Sequence, residues 1–108
     1  NFGVSDTTTV AAVEQYRVDT CVFSVGGIDA DGNLLDYHDT EVAVVKAMMR
    51  HARKRVLAAD HGKFGRSASV RLGSIADLSA VVTDKVPSAP IRRIMREAGV
   101  ALVTARVD

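Results

Sequence analysis

An α/β fold, Rossmann-like and in three α/β/α layers on a mostly parallel sheet, is predicted by three features of this chain. Short β-branched or apolar runs alternate with helical patterns, with polar or glycine turns between them. Runs such as Val56-Leu57-Ala58-Ala59 and Ala80-Val81-Val82-Thr83 are too short and too apolar for anything but strands in the middle of a sheet. Both of those runs end on a carboxylate, Asp60 and Asp84. With 108 residues, the chain is one domain or part of one.

The elements follow in order. Asp6 is placed to cap a helix reaching about Tyr16, with Val10, Ala12 and Val13 on one side, although three threonines make a weak first turn. Thr20 to Val25 reads as a buried strand stopped by Gly26-Gly27, and Asp31-Gly32-Asn33 marks a turn in the loop beyond it. Asp39 or Thr40 caps the next helix. Its charge order suits the helix dipole, with Glu41 in the first turn and Arg50, Arg53, Lys54 and Arg55 towards the end. Val42, Val45, Met49 and Ala52, flanked by Met48, form its core-facing stripe. Leu72 to Leu78 reads as a short helical or irregular connection between the two central strands. Pro87, Ser88 and Pro90 announce a last helix carrying Ile91, Ile94, Met95 and Ala98, and Gly99 ends it. Val100 to Thr104 closes the sheet, giving four strands and three helices. A doubly wound sheet normally has more covering elements than these, so sequence upstream of Asn1 is expected to belong to the same domain.

Composition narrows the possible functions. Hydrophobic residues make up 47% and charged residues 25%, as in globular proteins. No apolar stretch is long enough for a membrane span or a signal-peptide core. A single cysteine, Cys21, leaves no internal disulfide and no Cys-rich zinc site, and points to a reducing, cytoplasmic setting. The net charge of +1 gives no reason to expect nucleic-acid binding by the chain as a whole. Its distribution is uneven: Asp29 to Glu41 holds five acids and no Lys or Arg, while Lys46 to Arg66 holds seven bases and only Asp60 as an acid. Such a dipole fits a salt-bridged interface, a solvated face or a pocket for an anion.

Ligands of open parallel sheets bind beyond the carboxyl ends of the strands. Those ends deliver Gly26-Gly27-Ile28-Asp29, Asp60-His61-Gly62-Lys63-Phe64-Gly65-Arg66 and Thr83-Asp84. The middle segment could hold a hydroxylated, phosphorylated small molecule: Asp60 would accept from hydroxyls, and Lys63 or Arg66 would neutralise phosphate. On the plainer alternative, Asp60 caps the following turn and both cations are solvated. Other motifs fail. Asp29-x-Asp31-x-Asn33 lacks the glycine and glutamate of a calcium loop, Gly62-Lys63 lacks the rest of a P-loop, and Gly26-Gly27 is no dinucleotide fingerprint. His38, His51 and His61 have no metal-ligand spacing. Glu41, Lys46, Asp60, Lys63 and Asp84 supply enough acids and bases for sugar-phosphate isomerisation, so composition alone leaves catalysis and simple binding both open.

Taken together, Val25-Gly26-Gly27-Ile28-Asp29 with Asp31-Gly32, Glu41 with Val45-Lys46 and Met48-Met49, Ala59-Asp60-His61-Gly62-Lys63-Phe64-Gly65-Arg66 and Val82-Thr83-Asp84 resemble the effector-sensing domain of DeoR/GlpR-type bacterial transcriptional regulators. The resemblance covers residues 2 to 105. It implies a fold related to ribose-5-phosphate isomerase, glucosamine-6-phosphate deaminase and CoA transferases, used to sense a phosphorylated sugar intermediate. It further implies a regulator, typically a repressor, of sugar uptake or carbon metabolism genes. Residues 1–108 would be the carboxyl-terminal part of the sensor, with no catalytic residue, metal or cofactor. DNA would be read by an amino-terminal helix-turn-helix outside this chain, and the regulator would be a dimer or tetramer. By the same carry-over, Asp60 and Lys63 contact the effector, Gly26, Gly27 and Asp29 form one wall of the pocket, and Glu41, Lys46 and Arg66 complete the set. An isomerase or deaminase relative on the same scaffold is the alternative. An inert oligomerisation module is a third reading.

Overall fold

The computed structural model describes residues 18–105, and the helix expected over Asp6 to Tyr16 lies outside them. Four strands, β1 (Val18–Phe23), β4 (Ala52–Ala58), β6 (Ala80–Thr83) and β7 (Ala101–Thr104), form a wholly parallel sheet in the order β1-β4-β6-β7. A second, antiparallel sheet is built from β2 (Gly27–Ile28), β3 (Asn33–Asp36) and β5 (Val70–Ser74), in the order β2-β3-β5. Helix α1 (Asp39–His51) connects β3 to β4, and α2 (Ala89–Ala98) connects β6 to β7. Two 3₁₀ turns, His61–Lys63 and Ile75–Asp77, complete the set.

Each crossover in the parallel sheet steps one strand further in the same direction. Right-handed crossovers then put every connection on one face. The packing agrees: α1 touches β1, β4 and β5, while α2 touches β7 and the Ile75–Asp77 turn. The core lies beneath these connections, where Phe23, Leu57 and Val81 stand side by side in register and are buried with Ile28, Leu34, Ile75 and Met95. On the opposite face Val22 aligns with Val56, and Ala58 with Val82 and Val103. That face is apolar yet open, with Val22 62% and Val103 48% exposed. The described residues thus supply two of the three expected layers.

The four expected strands are all present, and three local readings need correction. The second helix stops at His51, so Ala52 and the basic run Arg53-Lys54-Arg55 belong to β4. Pairing explains the change: Val18, Thr20 and Cys21 of β1 take Ala52, Lys54 and Arg55 as partners, and this ladder overrides the favourable charge order of a longer helix. Its cap is neither Asp39 nor Thr40. His38 holds the extended cap position with φ −124°, and its carbonyl receives the Val42 N–H at 3.1 Å, which leaves Asp39 and Glu41 as first-turn charges. Finally, the Leu72–Leu78 segment is more regular than its composition suggests, because Val70–Ser74 pairs with β3 before Ser74 and Asp77 form a capping box over the Ile75–Asp77 turn. Gly99 ends α2 as expected: at φ +74° it donates to Arg96, and the following Val100 N–H reaches the Met95 carbonyl, a Schellman closure.

Candidate functional site

The ends of β1, β4 and β6 lie level, since Phe23 pairs with Leu57 and Ala58 with Val82. The chain leaving β1 and the chain leaving β4 then meet. The Gly65 N–H donates to the Ile28 carbonyl at 2.7 Å, Ile28 and Phe64 form a parallel bridge, and a Cβ on Gly27 would overlap the Arg66 carbonyl. Only glycine at position 27 permits that approach. Phe64 packs against the core, which fixes the loop from below. Gly26, Gly27, Asp60, Lys63 and Arg66 are therefore gathered at one edge of the sheet.

Asp60 caps the 3₁₀ turn it opens, accepting the Gly62 N–H on Oδ1 at 2.8 Å. The plainer reading of Asp60 describes that oxygen. Its other oxygen has no partner among the described residues, and the residue is exposed. Lys63 is half-buried in the same turn, and Arg66 is exposed beyond it. Asp29 is committed to its own loop: Oδ1 accepts the Asp31 and Asn33 N–H groups at 3.0 and 2.9 Å, and Oδ2 accepts from Asn33 Nδ2 at 2.9 Å. The Asn33 side-chain bond, chiefly, lowers the Asp29 pKa, with its backbone bonds and Arg71 adding to the effect. Asp29 therefore acts within the turn it holds, closed by Gly32 at φ +81°.

Glu41 and Lys46 part company. Tyr37 lies over Gly26, where a Cβ would come within 2.6 Å of its ring, and α1 starts two residues later. The first turn of α1, with exposed Glu41, thus begins beside the glycine pair. Lys46 is five residues further, about 140° around the helix and some 7 to 8 Å along it. It lines a cleft of about 300 Å³ with Met49, Arg50, Arg55, Leu72 and Asp77, and none of the strand-end residues borders that cleft. The basic window of the sequence thus divides between two places.

Two features escaped the sequence reading. Tyr37, 52% exposed, flanks Gly26. Asp84 clasps the Asp60–Arg66 loop, accepting the His61 N–H on Oδ1 and the His61 ring Nδ1 on Oδ2, both at 2.7 Å. The His61 bond, chiefly, pulls the Asp84 pKa down to about 2. Adjacent parallel strands end level, so the strand-end positions of Asp60 and Asp84 were the signal for this contact. Cys21 is buried and its thiol pKa is raised by desolvation, consistent with a packing role. No group of three or more His, Cys, Asp or Glu able to hold a metal occurs among the described residues, and no helix there is long and apolar enough to cross a membrane.

A parallel sheet whose glycine-rich and charged loops converge at its carboxyl edge is an arrangement in which α/β domains commonly bind small molecules. Residues 1–85 match the model of the DeoR C terminal sensor domain, and the chain belongs to that family. It is 35% identical over its full length to the HTH-type transcriptional repressor CsqR of Escherichia coli K12, covering 41% of that protein. It is 42% identical over 85 residues to the glycerol-3-phosphate regulon repressor of Haemophilus influenzae, covering 79% of this chain and 33% of that one. The Escherichia coli K12 glycerol-3-phosphate regulon repressor is 35% identical over 95 residues, with 88% and 38% covered. The chain spans about two fifths of the length of these relatives or less. Their names are those of regulators, and the chain is a sensor domain rather than an enzyme.

Proposed function

We propose that residues 1–108 are the carboxyl-terminal part of the effector-sensing domain of a bacterial transcriptional repressor, and that the effector is a phosphorylated sugar or polyol. Binding at the carboxyl edge of the parallel sheet would order the loops after β1 and β4. The altered surface would change how subunits of a homo-oligomer present helix-turn-helix domains lying outside this chain to operator DNA. Sugar uptake or carbon metabolism genes in the cytoplasm are the expected targets. The relatives' names support this reading, since two are repressors of a glycerol-3-phosphate regulon.

The observation that carries it is the convergence of Gly27, Asp60, Lys63 and Arg66 where the two loops are joined, with hydroxyl acceptors beside cations. Lys46 is left out of this pocket because it lines the cleft beside α1. Glu41 is kept at the pocket margin, and Asp29 supports the wall through its turn.

Thermal unfolding in the presence of glycerol 3-phosphate, fructose 1-phosphate, fructose 6-phosphate or glucose 6-phosphate tests the reading, beside the unphosphorylated compounds and with product formation monitored. A ligand at one hundred times its Kd adds about 2.7 kcal/mol to the native state, enough to raise the midpoint of so small a domain by several degrees. A shift confined to one or two phosphate esters, without turnover, is expected. Turnover would replace the sensor with an enzyme, and indifference to every ester would remove the effector site.

A further inference from the structure

The clasp between β6 and the loop after β4 determines how His61 can meet a ligand. An ionised Asp84 carboxylate accepts hydrogen bonds and donates none. Facing His61 Nδ1 at 2.7 Å, it requires the ring proton on that nitrogen. The neutral ring then presents Nε2 as a lone pair. The His61 side chain is 54% exposed, and Nε2 has no partner among the described residues. Two residues further along the same turn stands Lys63.

A sugar phosphate offers two chemistries, a dianion and several hydroxyl donors. Lys63 and Arg66 match the first. The second needs acceptors, and the turn displays the free oxygen of Asp60 next to this oriented imidazole.

We propose that His61 is a ligand-contacting residue whose Nε2 accepts a hydrogen bond from a hydroxyl of a phosphorylated sugar or polyol, and that Asp84 is the positioning residue that fixes the ring and its tautomer. This rests on the effector reading above and divides the ligand between the turn's groups: hydroxyls to Asp60 and His61, phosphate to Lys63 and Arg66. The charged group in contact with the ring is Asp84, immediately after β6.

The test is calorimetric titration at pH 8 of the wild-type chain, His61→Asn and Asp84→Asn. Each is titrated with whichever of the four phosphate esters binds tightest and, separately, with inorganic phosphate. His61→Asn keeps an N–H where Nδ1 stands, so the clasp survives, but it removes Nε2. Asp84→Asn turns an amide N–H towards Nδ1 and drives the ring proton to Nε2. Both variants should bind the ester about tenfold more weakly while retaining wild-type affinity for inorganic phosphate. A purely structural clasp would not separate the ester from inorganic phosphate in this way. Ester affinity equal to wild type in His61→Asn overturns the proposal, as does an equal loss for ester and phosphate. A wild-type chain that binds none of the four esters overturns the effector reading itself, and the His61 contact with it.

Discussion

Asp60 shows how one side chain can cap a turn and still offer an oxygen to the proposed ligand. Oδ1 is engaged by the Gly62 N–H, a task that an amide oxygen performs equally well. The negative charge is not needed for that cap, and the exposed second oxygen is where charge would act. Asp60→Asn should therefore leave the unfolding midpoint unchanged while weakening a sugar-phosphate complex. Loss of a charge-assisted hydrogen bond is worth about 1.5 to 3 kcal/mol, and solvent exposure argues for the lower end, roughly a tenfold rise in Kd. Parallel melting and titration of the variant check this. A drop in midpoint with unaltered affinity would leave Asp60 as a cap alone. Asp60→Ala removes both roles and should lower both quantities.

Between elements, the contact of β6 with the loop after β4 carries a definite pH signature. The Asp84 carboxyl is depressed to about 2 from an ordinary value of 3.8, so its contribution to stability is present above the unfolded value and is lost as pH falls through the folded one. Asp29 shifts in the same direction. Melting curves between pH 7 and 2 should thus show Asp84→Asn below wild type at neutral pH, with the gap closing between about pH 4 and pH 2. Curves that stay parallel would remove the clasp. The sequence disclosed the strands meeting here because each is a short apolar run ending on aspartate. It hid the second sheet, since β2 has only two residues and β3 carries adjacent buried Leu34 and Leu35 across a register shift, which erases the alternation that marks a strand. The candidate site was legible to the same degree. Gly27, Asp60, Lys63 and Arg66 sit on strand ends that can be read from the sequence. The separation of Lys46 from Glu41 follows from helical geometry. The His61–Asp84 clasp joins residues that the sequence places 23 apart.

For the molecule as a whole, the open face of the parallel sheet governs behaviour in solution. Parallel sheets are normally covered on both faces, and here Val22, Ala58 and Val103 remain exposed on one of them, with Val56 and Val82 half-buried between. The exposed Lys54, paired with Thr20, is a cation at one end of this face, and a net charge of +1 provides little repulsion between copies. The 108-residue chain on its own should therefore associate through this face, with an apparent mass that rises above 11.5 kDa and an unfolding midpoint that climbs with concentration. Val22→Thr combined with Val103→Thr keeps the β-branched shape that strands favour and makes the face polar. That variant should sediment as a monomer at concentrations where the wild type does not, with the proposed effector pocket at the sheet's carboxyl edge untouched. Since the pocket and the face lie on different surfaces of the same strands, sugar-phosphate affinity in the variant should equal that of the wild type. Unchanged association in the double variant would move the contact elsewhere, and a joint loss of association and ligand binding would mean that copies of the chain complete one another's pockets.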